Sequence, residues 1–328
     1  MRIRILGAGW YGCHLAASLL DDGHNVEVHE SRDRIFAGAS GSIPARLHLG
    51  FHYPRSRITR AACQEHSEAF MAEYGHLTHG VPVNIYAIAK DHSMVDFAQY
   101  RQTLLGEVEF VTIHDPSEYG LRNIEGALLT GERHILTNRA KAHFERVLGG
   151  HIFFGQRPAL LDDPNYDLTI DCTFCANEAS GVDRYEPCLV LMMEGPTETA
   201  VTIMDGPFGS LYPWDEDQGL CSLSSALWTP FSKQLKRYED ALHVIDTVTA
   251  DEVRDRANAM INQMSDFYLH IRDYRQVDAK LSIRAMPLSG ADTRLVDVVK
   301  LKPNLLRVRA GKIDAVIHAD KQIRELIK

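Results

Sequence analysis

The 328-residue chain predicts an α/β fold, with a parallel sheet assembled from separated segments and an inserted antiparallel, β-rich α+β unit. Three observations carry that expectation. The first thirty residues run strand, glycine turn, helix, strand. A further buried strand, Tyr166 to Cys172, returns far downstream. Between and after these, alternating apolar and polar runs read as antiparallel strands rather than as more strand–helix units.

Arg2 to Leu6 alternates charge with apolar bulk and leads directly into Gly7-Ala8-Gly9-Trp10-Tyr11-Gly12. A helical pattern follows through Leu15, Ala16, Leu19 and Leu20, and Asp21 to His24 stops it. Asn25 to His29 reads as a second strand, ending on Glu30 with Ser31 beside it. An ADP-containing dinucleotide requires this order. Gly7 would allow the tight turn, Gly9 would let backbone approach a pyrophosphate, and Gly12 would let helix pack on strand. Glu30 would accept from the adenosine ribose hydroxyls.

The stretch 31–51 is rich in Gly, Ser and Ala and reads as an extended loop. Arg55 to Tyr74 carries apolar residues at helical spacing. Val81 to Ile88 and Val108 to Ile113 read as strands around a helix from Met94 to Leu105, and Gly126 to Leu136 as a strand or hairpin. Thr137-Asn138 would cap a helix that Gly149-Gly150 ends. Strands follow at Thr199–Met204, Ser210–Trp214 and Leu220–Ser225, then a long helix over Asp251–Tyr274 and a last one over Lys312–Ile327. The order implies a nucleotide-binding, Rossmann-like domain over 1–78, 130–188 and 276–328, with a substrate domain from 79–129 and 189–275.

Lys and Arg number 35 against 44 Asp and Glu, a net charge of −9, and no basic stripe stands out to neutralise nucleic-acid phosphates. No apolar run reaches the length of a membrane span. The first strand begins at Arg2, so no signal or transit peptide is expected, and a cytoplasmic protein with reduced thiols is. Cys172-Thr173-Phe174-Cys175 has CxxC spacing but no second pair or histidine pair for zinc, so small packing residues explain it better. No metal site is expected.

The interleaved order, together with Gly7–Gly12, Ala39-Ser40-Gly41-Ser42 and His48-Leu49-Gly50-Phe51-His52-Tyr53, resembles the D-amino acid oxidase-like superfamily of FAD-dependent oxidoreductases. Later matches are Asp167 to Thr173, Leu281 to Pro287, and Arg309-Ala310-Gly311-Lys312 opening the last helix. The middle domain matches in element order, not in residues.

The resemblance implies FAD and assigns roles by position. Ala39, Ser40 and Ser42 would lie along the pyrophosphate, and Cys172 near the adenine half. His48, His52 and Tyr53 would pass close to the isoalloxazine, with His52 or Tyr53 accepting or relaying a proton. Arg284 would pair with a substrate carboxylate and Arg46 would serve as a second anchor. Gly311 and Lys312 would bring a helix N-terminus and a cation to the pyrimidine edge. Tyr212 and Trp214 lie on a strand facing the site, where core packing accounts for them as well as substrate contact does. No cysteine stands beside the last loop, so a non-covalent flavin is expected, with His48 the remaining attachment point.

The function implied is an oxidase or dehydrogenase that moves hydride from the C–H next to an amine or hydroxyl of a small, anionic substrate to flavin N5. Two other readings stand beside it. An NAD-dependent dehydrogenase fits the first βαβ unit but not the loop that follows it. A non-catalytic flavin- or nucleotide-binding partner subunit fits the absence of the His-Gly loop that family members often carry over the flavin.

Overall fold

The computed structural model describes residues 1–157, 161–177, 182–215, 217–287 and 295–328. One core is a six-stranded sheet in the order Asp297–Lys302, Leu305–Arg309, Leu168–Asp171, Arg2–Leu6, Asn25–His29, Ile152–Phe153. All its pairings are parallel except the first. The central strands bury Ile3, Ile5, Val26, Val28 and Ile170 completely, as strands covered on both faces must. Around it pack the helices Trp10–Asp21, Arg57–Tyr74, Thr137–Leu148 and Val316–Leu326.

The second sheet has eight strands: Arg275–Pro287, Val182–Glu194, Leu220–Ser225, Gly209–Asp215, Thr199–Met204, Val83–Ala89, Ile124–Thr130 and Phe110–Ile113. Only Thr199–Met204 and Val83–Ala89 pair in parallel. The helix Ala250–Ser265 covers one face through Ala257, Met260 and Met264. The helix Phe97–Leu104 contributes Tyr100 and Leu104 to a second cluster with Phe51, Tyr86 and Met204. A small sheet of Arg46–Leu47, Arg133–Ile135 and Thr78–Gly80 stands apart from these two.

Several elements differ from their sequence reading, each for a physical reason. The expected boundaries at 188 and 276 fall inside two 13-residue strands, Val182–Glu194 and Arg275–Pro287, which pair antiparallel in the eight-stranded sheet. Gly126–Leu136 is not a hairpin. Its first strand belongs to the large sheet and Arg133–Ile135 to the small one. Thr137 is buried inside the first turn of its helix, so Leu136 takes the N-cap position without a side-chain bond, and Asn138 instead donates to Asp215. The helix begun by the Thr249–Glu252 capping box ends at Ser265, because the chain then pairs with the Gly120 loop through Leu269 N–H to Gly120 O at 2.9 Å. Among the described residues, no helix is long and apolar enough to cross a membrane.

Candidate functional site

The glycine turn is built by close approach. Gly7 has φ +94°, a backbone region that favours glycine. A Cβ on Gly12 would lie 1.9 Å from the Gly7 carbonyl oxygen, so the helix reaches the strand only without a side chain there. A Cβ on Gly9 would meet Ser40 Oγ at 3.0 Å, and the same hydroxyl accepts from the Trp10 N–H at 3.0 Å. The Trp10 ring turns away, packing among Phe36, Phe70, Tyr74 and Phe144. Glu30 braces the turn: one carboxylate oxygen accepts from Ala8 N–H at 2.8 Å and the other from Arg32 N–H at 2.9 Å.

A cavity of about 800 Å³ is lined by residues of this turn and of the eight-stranded sheet, within the range of small-molecule and cofactor sites. Gly7, Gly9, Trp10, Tyr11, Glu30 and Ser31 line its first part, followed by Ala39, Ser40 and Cys172. Arg46, His48, His52, Tyr53, Arg284, Gly311 and Lys312 line its far wall. Three sequence-predicted residues stand behind this wall. Gly12 packs against the turn. Ser42 is buried and closes a one-turn 3₁₀ segment over Ala39–Gly41 by donating to Ala39 O at 3.1 Å. Tyr212 is fully buried, donating its hydroxyl to Arg133 O at 3.3 Å and accepting from Asn84 Nδ2 at 3.1 Å. Its ring supports the Arg46 guanidinium, 4.0 Å above the ring centre.

The far wall is cationic with neutral imidazoles. Arg46 donates to Thr202 Oγ1 at 2.9 Å and to Ser210 Oγ. Arg284 donates to Glu186 at 2.7 Å, a buried carboxylate that Arg184 shares at 2.9 Å. Lys312 lies 4.0 Å from the centre of the Tyr53 ring, and its Nζ is 2.8 Å from Cys63 Sγ. Burial would discharge Lys312, but Tyr53, Asp314 and Cys63 outweigh it and hold the ammonium above its usual range. Burial, with Lys312 adding, brings His48 down to about 4. His52 is held well below its usual range by burial and by His48, Arg46 and Lys312. Both rings are therefore neutral at neutral pH.

Four further residues join the site without a signal in the sequence. Glu132 is 1% exposed, with its carboxylate 3.5 Å from His48 Nδ1. Burial opposes its charge, yet His48, the Tyr86 hydroxyl and the Leu49 N–H bring it down to about 2. Asp314 is fully buried next to Lys312, and burial raises it to about 6. Cys63 sits under Lys312, and burial pushes its thiol up to about 11. Asp205 lines the cavity and accepts from Arg55 Nε at 2.7 Å. Both CxxC cysteines are free thiols, Cys175 buried and Cys172 in the cavity lining, and no group of three or more metal-ligating side chains stands together among the described residues.

The turn fits FAD on this structure's own terms. A backbone cradle that a Cβ would fill, a helix N-terminus open to the cavity and a carboxylate at the end of the second strand suit an ADP moiety. No protein-family model matches the chain. It is 32% identical over 337 residues to the FAD-dependent monooxygenase FPY4 of Fusarium mangiferae, covering 98% of this chain and 90% of that protein. It is 29% identical over 369 residues to the FAD-dependent monooxygenase kojA of Aspergillus flavus, covering 100% of this chain and 86% of that protein. The fold is similar to that of glycine oxidase from Geobacillus kaustophilus, with a TM-score of 0.71 at 14% identity over 99% of this chain and 94% of that one. The likeness to FPY4 decides for FAD over a nicotinamide cofactor, and for an enzyme over a non-catalytic subunit. The chain belongs, with FPY4, to the FAD-dependent oxidoreductases, on a fold similar to that of glycine oxidase.

Proposed function

We propose that the enzyme takes hydride from the C–H next to an amine or hydroxyl of a small anionic substrate, with Arg46 holding the anionic group. One observation carries this reading. Arg46 lines the cavity, partly buried, and its partners are the Thr202 and Ser210 hydroxyls, with no carboxylate within ion-pair distance among the described residues. A guanidinium satisfied by neutral groups keeps its full charge for a ligand, and its planar fork suits a carboxylate. Arg284 is the second anchor, with part of its charge already spent on Glu186.

Gly7, Gly9, Glu30, Ser31 and Ser40 would hold the ADP half of FAD, and Gly311 and Lys312 would face its ring system, all without a covalent bond. FAD, when bound, supplies the hydride acceptor. The chain's own residues orient the substrate and manage its proton. Arg46 and Lys312 make the far wall positive, which favours loss of a proton from a substrate amine. The neutral rings of His48 and His52 are the groups that can accept one, with the Tyr53 hydroxyl placed to relay it.

A second reading, oxygen insertion into the substrate, draws on the names of FPY4 and kojA. Anaerobic mixing separates the two. Small α-amino and α-hydroxy carboxylates that bleach the flavin without another reductant support dehydrogenation. A flavin that only NADH or NADPH bleaches, with an oxygen atom from O₂ in the product, supports insertion and overturns the hydride reading.

A further inference from the structure

We propose that Glu132 is a positioning residue that turns the Nδ1–H of His48 toward its own carboxylate and the Nε2 lone pair into the cavity, making His48 the acceptor of the substrate's proton. This rests on the hydride reading above and adds to it the residue that receives the proton.

Glu132 lies in the turn between Ile124–Thr130 and Arg133–Ile135, its side chain completely buried. Both oxygens are engaged. One accepts from the Leu49 N–H at 2.8 Å and stands 3.5 Å from His48 Nδ1, and the other accepts from the Tyr86 hydroxyl at 2.5 Å. Because Leu49 follows His48, the first bond fixes the backbone that carries the imidazole. Tyr86 is itself locked between the Phe51 and His52 rings, 5.6 and 6.3 Å away. The Glu132 carbonyl accepts from Asn84 Nδ2 at 2.9 Å, and that amide also reaches the hydroxyl of Tyr212, the ring beneath Arg46. One buried residue thereby ties together the imidazole and the anion anchor.

Burying a carboxylate among neutral donors is costly, and core stability alone is better served by an apolar residue. A carboxylate kept there against an imidazole is the arrangement that selects a tautomer. The His48 side chain is 15% exposed and lines the cavity, and its buried Nδ1 makes no hydrogen bond in this structure, with the Glu132 oxygen 3.5 Å away as the carboxylate within ion-pair distance of it. The groups facing His48 are Lys312, Arg46, Glu132, His52 and Tyr53. Burial, with the two cations adding, keeps the ring neutral at rest, and Glu132 compensates the charge when the ring gains a proton. No carboxylate stands within ion-pair distance of His52 among the described residues, so Glu132 compensates a proton there only from farther away.

The step balances. The substrate's N–H or O–H bond breaks and its proton goes to His48 Nε2. The neighbouring C–H bond breaks with its electron pair leaving as hydride to oxidised FAD, and a C=N or C=O bond forms in the substrate.

The test uses the FAD-loaded enzyme with ¹⁵N-labelled histidine. In wild type, the His48 signals should report the Nδ1–H tautomer, and in Glu132→Gln that preference should be lost. Glu132→Gln should slow anaerobic flavin reduction about tenfold or more, with substrate affinity changed no more than about threefold. Glu132→Asp should recover part of the rate, and adding His48→Gln to Glu132→Gln should leave it no slower than His48→Gln alone. An Nε2–H tautomer in wild type, or Glu132→Gln reducing at the wild-type rate, overturns the proposal. Should Glu132→Gln fail to hold FAD, the wild-type tautomer alone decides. Should no carboxylate reduce the wild-type flavin, the substrate reading fails, and the tautomer still decides the geometry.

Discussion

At the scale of single residues, the dinucleotide end of the site is written locally in the sequence and the reacting end is not. Gly9, Gly12 and Glu30 announce themselves because their partners are at most 31 positions away and the spacing itself is the signal. Glu132 gives no such signal. It reads as one more charge in a turn, and only folding brings Leu49, Tyr86 and His48 around it. Tyr212 shows the same limit from the other side, since alternation marks it as facing inward without saying that it would lie under Arg46. Gly9→Val should abolish FAD retention, because its side chain would enter the space between the turn and Ser40. The ratio of flavin to protein absorbance measures this, and full flavin content would remove the turn from the site. Arg46→Ala should raise the KM for a carboxylate substrate about tenfold or more, the loss expected for a charge-assisted pair. An unchanged KM would exclude Arg46 as the anchor.

At the scale of elements, short strands with a clean pattern were legible. Thr199–Met204 and Leu220–Ser225 fall where alternation places them. The two 13-residue strands were not, since Val182–Glu194 opens with charges and holds Pro187. It then buries Cys188 to Met193 continuously, so neither period nor propensity marks it. The closing helix was legible as a stripe, although it starts as a 3₁₀ turn over Ile313–Ala315. Neighbouring strands of the parallel sheet are joined by Asp171 and Arg307, both without solvent exposure and 3.1 Å apart. Asp171→Ala would remove a carboxylate partner from the buried guanidinium and should cost about 3–5 kcal/mol, read from urea unfolding. A loss under about 1 kcal/mol would show that the Asp171–Arg307 pair contributes little there.

At the scale of the whole molecule, buried neutral histidines set the response to acid. His14, His48, His66 and His134 are each brought down by burial from 6.5 to about 4. The unfolded chain therefore binds more protons than the folded one between these values. Their contribution to stability is full above about 6.5 and is lost as the pH falls toward about 4. Glu132, lowered from 4.5 to about 2, extends the loss into stronger acid. The Tm should be lower at pH 5 than at pH 7.5, and an equal or higher Tm at pH 5 would contradict the burial of these rings. The same architecture brings the glycine turn and Arg46 to the lining of one cavity. Titration of the FAD-loaded protein with a small unreactive carboxylate, followed in the visible flavin bands, tests that arrangement most directly. A saturable perturbation in wild type, weakened at least about tenfold in Arg46→Ala, is expected. A flavin spectrum that no carboxylate perturbs, or one perturbed equally in both proteins, would contradict it.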